Sequence, residues 1–437
     1  MSAVELTALV CCDLGAIVRG RSLPAGELHE HLQAGVSWVP ANHALTPLGS
    51  LAEPNPFGST GDLRLLPEIE SRVRVEGERG RGPLELVLCD IVETDGEPWT
   101  CCPREFLRGA LAELERDFDV RVRCSFEHEF QLLSGEPAAL PFSLEAQRRA
   151  EPFAGELMAA LAQAGVQPER FFAEYAPHQF EVPVAAREGL AGADRAVVLR
   201  EVVREVARAH GLRASFVPLL DPATAGNGVH IHLSLHSRDG TPLLYEAGGP
   251  AGLSKLALNF AAGILAHAPA LSALTAPSPV SAARLAPHRW SAGAVCLGLR
   301  NREALLRIPP LVELASEEPA RQLRLEYRGA DASANPYLAL GAIVRAGMHG
   351  LRAKLQPPPL LQDDPSRLGQ ADAERFGVGG LPQSLAAAMG ALAQDDAARG
   401  WLPPLLYEAY VSVKRSELEA TAELAIDEVC RRYASVY

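Results

Sequence analysis

The chain is expected to fold as an α+β protein of two domains, and three features of its 437 residues predict this. Its length exceeds what one ordinary hydrophobic core organises, because cores stop growing at about 250–300 residues and longer chains divide. The first hundred residues mix short apolar runs with glycine and proline, the composition of strands joined by long loops. After residue 118 the pattern changes to strands alternating with longer helical stripes.

In chain order, Val36-Ser37-Trp38-Val39-Pro40 is a short apolar run, and the stretch from Thr46 to Gly61 is loop-rich. Leu84 to Asp90 reads as a strand, followed by the turn Asp95-Gly96 and by Pro103, whose fixed φ suits a first helical turn. Leu107, Ala110, Leu111, Leu114 and Phe118 then recur at helical spacing, so Pro103 to Phe118 is an amphipathic helix. The domain boundary is placed there, with residues 1–106 in the first domain and 107–437 in the second. Leu199, Val202, Val203 and Val206 give another helical stripe, stopped at Gly211, which leads into an expected strand from Ser215 to Leu220. The most apolar stretch, Ser254 to Ala276, is interrupted by Lys255, Asn259, His267 and Pro269 and reads as a buried helix, not a membrane span. Leu355 to Pro365 is proline-rich and expected as a surface connection. Ser412 to Tyr433 reads as a charged C-terminal helix.

Charge and cysteine usage narrow the function. The balance 41 − 54 = −13 argues against nucleic acid or an anionic membrane as the main partner. Eight cysteines without a CxxC pair or a disulfide-like spacing fit a reducing, cytoplasmic compartment. The N-terminus carries Glu5 and Asp13 and lacks a basic stretch, so no secretory signal is expected.

Three segments alternate chemistry with hydrophobes. Gly226-Asn227-Gly228 precedes Val229 to Leu235, in which the apolar residues point one way while His230, His232, Ser234 and His236 line the other face. Ser125 to Leu132 presents Glu127 and Glu129, and Leu323 to Arg328 presents Arg324, Glu326 and Arg328. Taken singly these are weak signals: a Glu-x-Glu pair is commonly a solvated strand face, and paired imidazoles can simply hydrogen-bond in a crevice. Glu174 and Glu181 bracket a loop or bent strand and could be two exposed acids. Together, five carboxylates and one or two imidazoles form an oxygen-rich environment suited to Mg²⁺ or Mn²⁺. With arginines nearby, such a site meets the needs of nucleotide phosphoryl transfer. Neither a GxxxxGKS/T phosphate loop nor a GxSxG nucleophile turn is present.

Over nearly its full length the chain resembles the glutamine synthetase family. The matching pieces occur in family order: Gly61-Asp62-Leu63, Cys89-Asp90, Asp95-Gly96, Pro103-Arg104, Glu127-His128-Glu129, Glu174 to Glu181, Gly226 to Leu235, Arg284, Asn301-Arg302 to Pro309, Leu325 to Arg328, and Asp331 to Tyr337 with its Ala334-Asn335-Pro336-Tyr337. The resemblance implies a β-grasp-like N-terminal domain and a larger catalytic domain whose strands curve around the site. It implies that Glu129, Glu174 and Glu181 hold one divalent metal, and Glu127, His230 and Glu326 a second, against the phosphates of ATP. Arg284 would take the α-carboxylate of glutamate, Gly228 would lie beside it, and Arg328 would act near the reacting carboxylate. Arg302 and Arg307 would face the phosphates, and His232, Ser234 and Arg324 would hold the nucleotide. The implied reaction forms γ-glutamyl phosphate and then an amide. The implied assembly is a dodecamer of two stacked hexamers with active sites shared between neighbours.

Two departures bear on the amine. Ammonia-using members carry an acidic Asp-Gly-Ser-Ser type loop, whereas the corresponding Trp38 to Pro47 has no aspartate. Six residues beyond Arg284 those members place a glutamate, and this chain has Trp290. Exchanging an anion for an indole removes the charge that binds a small cation and supplies a π face suited to an alkyl chain or larger ammonium. The expected acceptor is therefore a small organic amine. Glutamine synthesis from ammonia is the alternative; a non-catalytic structural or regulatory homologue and a zinc hydrolase using His230 and His232 are the readings from other classes. No tyrosine stands near Leu381 to Leu385, where some bacterial members are adenylylated, so that control is not expected.

Overall fold

The computed structural model describes residues 4–77, 79–289, 291–312, 314 and 318–437. Six strands build the first sheet: β1 (Leu6–Cys12), β2 (Val18–Pro24), β3 (Val36–Trp38), β4 (Leu63–Pro67), β5 (Val73–Val75) and β6 (Leu84–Val92). They lie in the order β2-β1-β6-β4-β3, with β5 also on β6, and are antiparallel except for the β1–β6 pair. The central strands carry the apolar runs, with Leu9, Val87 and Leu88 in the core. Glu85, buried on β6, is held by the Thr7 hydroxyl at 2.7 Å and by Arg72 and Arg74 at 2.9 Å each.

His43, in the loop after β3, is wholly buried against Trp99, and neither of its ring nitrogens has a hydrogen-bond partner. Burial, helped by Arg19, lowers its pKa to about 3. The folded pKa lies below the unfolded one, so between pH about 3 and 6.5 the unfolded chain binds a proton that the folded one refuses, and stability falls on acidification. Urea unfolding followed from pH 7 to 5 is expected to carry a contribution from this ring approaching about 1.4 kcal/mol per pH unit. His43→Leu is expected to remove that part of the slope; an unchanged slope would assign it elsewhere.

The helix Pro103–Phe118 joins the two sheets and forms as its spacing predicts, burying Phe106, Leu107, Ala110 and Leu114. It ends where Asp119 turns left-handed (φ 55°) and gives its N–H to the Glu115 carbonyl. Arg104 on its first turn bonds Asp90 of β6 at 2.8 Å and Asp194 through two nitrogens at 3.0 and 2.9 Å, tying the small sheet to the helix Gly189–Ala209.

The second sheet has nine strands: β7 (Arg121–Leu133), β8 (Phe172–Ala173), β9 (Gln179–Val182), β10 (Arg187–Glu188), β11 (Arg213–Ser215), β12 (Val229–His236), β13 (Ala294–Leu299), β14 (Ala304–Ile308) and β15 (Leu325–Ala330). The order is β13-β14-β15-β12-β7-β9-β8, with β10 and β11 on β7, and only the β13–β14 pair is parallel. The sheet is thus almost wholly antiparallel, which permits one apolar and one polar face. Ile231, Leu233 and Leu235 of β12, with Phe126 and Phe130 of β7, enter the core. The arrangement agrees with the α+β expectation from the sequence, an N-terminal sheet followed by a larger unit of sheet and helices.

Four local expectations differ from what forms. The strand expected from Ser215 to Leu220 ends at Ser215, because Pro218 has no N–H to give a ladder and its carbonyl instead accepts from Asn227 at 2.9 Å. The apolar stretch forms two helices, Lys255–Ala266 and Ala268–Thr275, bent by 75° where Pro269 cannot donate to the preceding turn. Among the described residues no single helix is long and apolar enough to cross a membrane, although this bent pair passes on length and composition. The C-terminal stretch is also two helices, Pro404–Thr421 and Ile426–Ala434, the second folded back so that Tyr433 donates to Glu417 at 2.8 Å. The proline-rich connection is not wholly at the surface: Leu361 is fully buried and bonds β13 through Leu297 and Leu299.

Candidate active site

Register brings the three chemical segments onto one sheet face. In antiparallel pairs, directly opposed residues share a face. Glu129 stands opposite Glu181, His230 opposite Glu127, His232 opposite Glu326, and Arg307 opposite Glu326. A shift in register between Val229 and Ile231 lets β12 serve both neighbours. Above this face lies a cavity of about 980 Å³. Its wall includes all six expected metal ligands: Glu127, Glu129, Glu174, Glu181, His230 and Glu326. Arg284, Arg302, Arg307, Arg324 and Arg328 also line it, as do His232 and Ser234. Trp290 lies outside the described residues; its neighbours Arg289 and Ser291 line the same cavity. The loop Trp38 to Pro47 is elsewhere, with Ala44 packed on Val413.

The Gly226-Asn227-Gly228 turn sets the first acids. Gly228 gives its N–H to Glu129 at 2.8 Å, and a Cβ there would stand 3.1 Å from Arg284 Nη1, 3.3 Å from His230 Nε2 and 3.5 Å from Glu129 Oε1. A bare glycine leaves that junction open. Gln179 reinforces it by donating to Glu129 at 3.1 Å and to the Gly226 carbonyl at 2.9 Å. Asn227 is anchored in turn by Val217 and Gln131. These amides were missed as site residues; the signal for Gln131 was its place in the 127, 129, 131 alternation of β7, while that for Gln179 was weaker, two residues before Glu181.

Charge divides the cavity into two ends. Burial raises the Glu174 carboxyl, and the neighbouring Glu129 raises it further, to about 8. Glu181 is pushed well above the ordinary carboxylate range by burial and then by Glu127, Glu129 and Glu174. Opposite them the acids are compensated. Burial also opposes ionisation of Glu127, but His232 and His230 outweigh it and hold that carboxyl well below its usual range. Burial opposes ionisation of Glu326 too, yet Arg328, the histidines and Arg307 bring it to about 2. Glu326 accepts from Arg307 at 2.6 Å and from Arg328 through its other oxygen.

The two imidazoles sit among acids and arginines. His232 Nδ1 faces Arg324 Nε at 3.2 Å, and a guanidinium only donates, so Nδ1 is the acceptor. Its other ring nitrogen, Nε2, lies 2.9 Å from Glu127 Oε2. His230 Nδ1 lies 3.8 Å from Glu127 and 4.0 Å from Glu326, and burial, then Arg328, lowers its pKa. A neutral imidazole flanked by two carboxylates is the form that ligates a metal. The Glu129, Glu174 and Glu181 set fits a divalent cation for a different reason: burial and the neighbouring acids push Glu174 and Glu181 toward their protonated forms, and a cation would take the place of those protons. Among the described residues no group of three or more His, Cys, Asp or Glu side chains is already arranged to hold an ion.

Comparison with known proteins places the chain by family and fold. Residues 1–99 match the glutamine synthetase N-terminal domain, and residues 100–433 match the glutamine synthetase catalytic domain. A gamma-glutamylpolyamine synthetase of Streptomyces coelicolor is 35% identical over 441 residues, covering 98% of this chain and 93% of its own length. A glutamine synthetase of Methanocaldococcus jannaschii is 29% identical over 82% of this chain and 79% of its own. Among solved structures, a novel glutamine synthase homologue superposes with a TM-score of 0.92 at 48% identity, covering 100% of this chain and 99% of its own. An ADP complex of GmaS gives 0.82 at 26%, covering 97% and 96%.

A two-domain α+β fold with an acid- and arginine-lined cavity on an antiparallel sheet defines a carbon–nitrogen bond-forming ligase of the kind those relatives represent. The chain belongs to the glutamine synthetase family.

Proposed function

We propose that the chain is an ATP-dependent ligase that activates the γ-carboxylate of glutamate as γ-glutamyl phosphate and joins it to a small organic amine, with release of ADP and phosphate. The observation that carries this reading is the convergence of Glu127, Glu129, Glu174, Glu181, His230 and Glu326 on one cavity wall beside Arg284, Arg302, Arg307 and Arg328. Glu129, Glu174 and Glu181 would hold one Mg²⁺ or Mn²⁺, and Glu127, His230 and Glu326 the other. Bound there, the metals supply charge that lets a carboxylate approach a triphosphate and polarises the transferring group. The protein's own part is to orient. Arg284, its Nη2 fixed by the Ala330 carbonyl at 2.8 Å, takes the α-carboxylate. Arg328, fixed by the Arg302 carbonyl at 3.0 Å, stands near the reacting carboxylate. Arg302 and Arg307 face the phosphates, while His232, Ser234 and Arg324 hold the nucleotide. Oxygen of the γ-carboxylate attacks phosphorus as ADP leaves, and the neutral amine nitrogen then attacks the acyl carbon, releasing one N–H proton to solvent as phosphate leaves. Gly228 keeps room beside the glutamate.

The organic amine is favoured by the missing loop aspartate, by Trp290 in place of a glutamate, and by likeness to the gamma-glutamylpolyamine synthetase. In this reading the enzyme is cytoplasmic and dodecameric, with domains 1–106 and 107–437. Phosphate release is measured with glutamate, ATP and Mg²⁺ over a panel of amines. Organic amines are expected to exceed ammonium at least about tenfold in kcat/KM. Comparable use of ammonium would make it a glutamine synthetase proper, and no turnover with any amine would make it a non-catalytic homologue.

A further inference from the structure

A second cavity, of about 620 Å³, lies beside the first, and both include Glu174 and Gln179 in their walls. The two differ in sign of charge. The first has nine arginines against six glutamates among its described wall residues, whereas the second, apart from the shared Glu174, has Glu136 and Glu151 against Arg149, with His178 and His210. Arg149 is itself engaged, by Glu145 and by the Pro137 carbonyl at 3.0 Å. The rest of the second wall is largely aliphatic or aromatic, including Leu132, Leu140, Phe153 and Leu212.

The segment Leu140-Pro141-Phe142 contributes to both cavities. Leu140 and Pro141 line the second cavity, while Phe142 lines the first and packs edge-on against Tyr175 with ring centroids 4.7 Å apart. Phe142 is held at φ 56°, an uncommon conformation for a bulky residue. Phe142, Tyr175 and Glu174 thus line the first cavity together, and aromatic faces attract an ammonium group.

We propose that the second cavity binds the distal part of the acceptor, and that the acceptor is an aliphatic di- or oligoamine. The inference rests on the ligase reading and adds where the amine lies. Anionic glutamate and triphosphate are drawn to the arginine-rich end. A chain with an ammonium at each end is repelled there and directed to the second cavity, with its methylenes against the apolar wall and its far charge near Glu136 and Glu151.

The test compares three acceptors with the whole enzyme, glutamate, ATP and Mg²⁺: hydroxylamine, butylamine and 1,4-diaminobutane. The last two have equal chain length and differ only in the distal amine. The parent enzyme is expected to prefer the diamine to butylamine at least about tenfold in kcat/KM. The double variant Glu136→Gln with Glu151→Gln, at two exposed positions, is expected to lose about that preference while its hydroxamate formation stays within twofold of the parent. Ala146→Trp, which fills the cavity from the helix Leu144–Arg149, is expected to raise KM for both longer amines and to spare hydroxylamine. A parent with no preference for the diamine, or variants that alter all three acceptors equally or none, would overturn the second-cavity assignment and leave the ligase intact. A parent that forms no hydroxamate would overturn the ligase reading itself.

Discussion

Glu129→Ala is expected to reduce kcat by at least about a thousandfold and to leave the protein folded, the size of loss associated with removing a group that organises charge in a transition state. Two structural effects of the substitution oppose each other. The Gly228 N–H and one Gln179 donor lose an acceptor, which costs about 1–3 kcal/mol if they stay buried and unpaired. Against this, a carboxylate that raises the pKa of both Glu174 and Glu181 disappears, and their repulsion eases. The net change in stability is therefore expected to be small beside the change in rate. Glu129→Gln separates a metal role from a scaffolding one: its carbonyl can still accept from Gly228, but an amide is a poor ligand for a hard divalent cation. Phosphate release and circular dichroism on both variants are the measurement. Inactivity of both with native spectra fits the assignment, and an active Glu129→Gln would make the residue a scaffold.

Much of this site was legible because it is written in period two. The alternations at 125–132, 229–236 and 323–328 each sort apolar from chemical side chains, and the sheet puts them side by side. The expected helix Pro103–Phe118 appears with the same limits, since proline at its start and a regular stripe leave little ambiguity. Other features depend on tertiary contacts that local pattern does not encode. The compensation of Glu326 by two arginines requires the β14–β15 pairing as well as the i, i+2 relation to Arg328. Gln179 and Asn227 look like ordinary loop amides until the turn at Gly226 brings them together. The second cavity could not be read at all, because its wall comes from β7, β9, two short helices and the residues after a long one. Apolar runs also misled where proline intervened: hydrophobicity continues through Pro218 and Pro269, but the backbone ladder does not.

Gly226→Ala is the second substitution with a large expected effect, and it acts without removing any functional group. A Cβ at this position would stand 2.2 Å from the Pro218 carbonyl oxygen and 2.7 Å from Arg284 Cγ. The first contact is with backbone, so no side-chain rotation relieves it. That same carbonyl accepts the Asn227 N–H at 2.9 Å, and moving the turn away from it strains a bond that fixes the entry to β12. Shifting Arg284 instead displaces the guanidinium anchored on Ala330. Overpacking of this kind costs about 1–3 kcal/mol. The larger consequence falls on binding, because a displacement of about 1 Å of a positioning group costs on the order of a hundredfold in rate. The expected result is a folded protein with a lower unfolding midpoint and a KM for glutamate at least about tenfold higher, with KM for ATP changed less. The asymmetry follows from place: Arg284 adjoins Gly226 and Gly228, whereas Arg307 and Arg324 hold the other end of the cavity through Glu326 and His232. Equal increases in both KM values would mean that the turn supports the whole cavity and not the glutamate end alone.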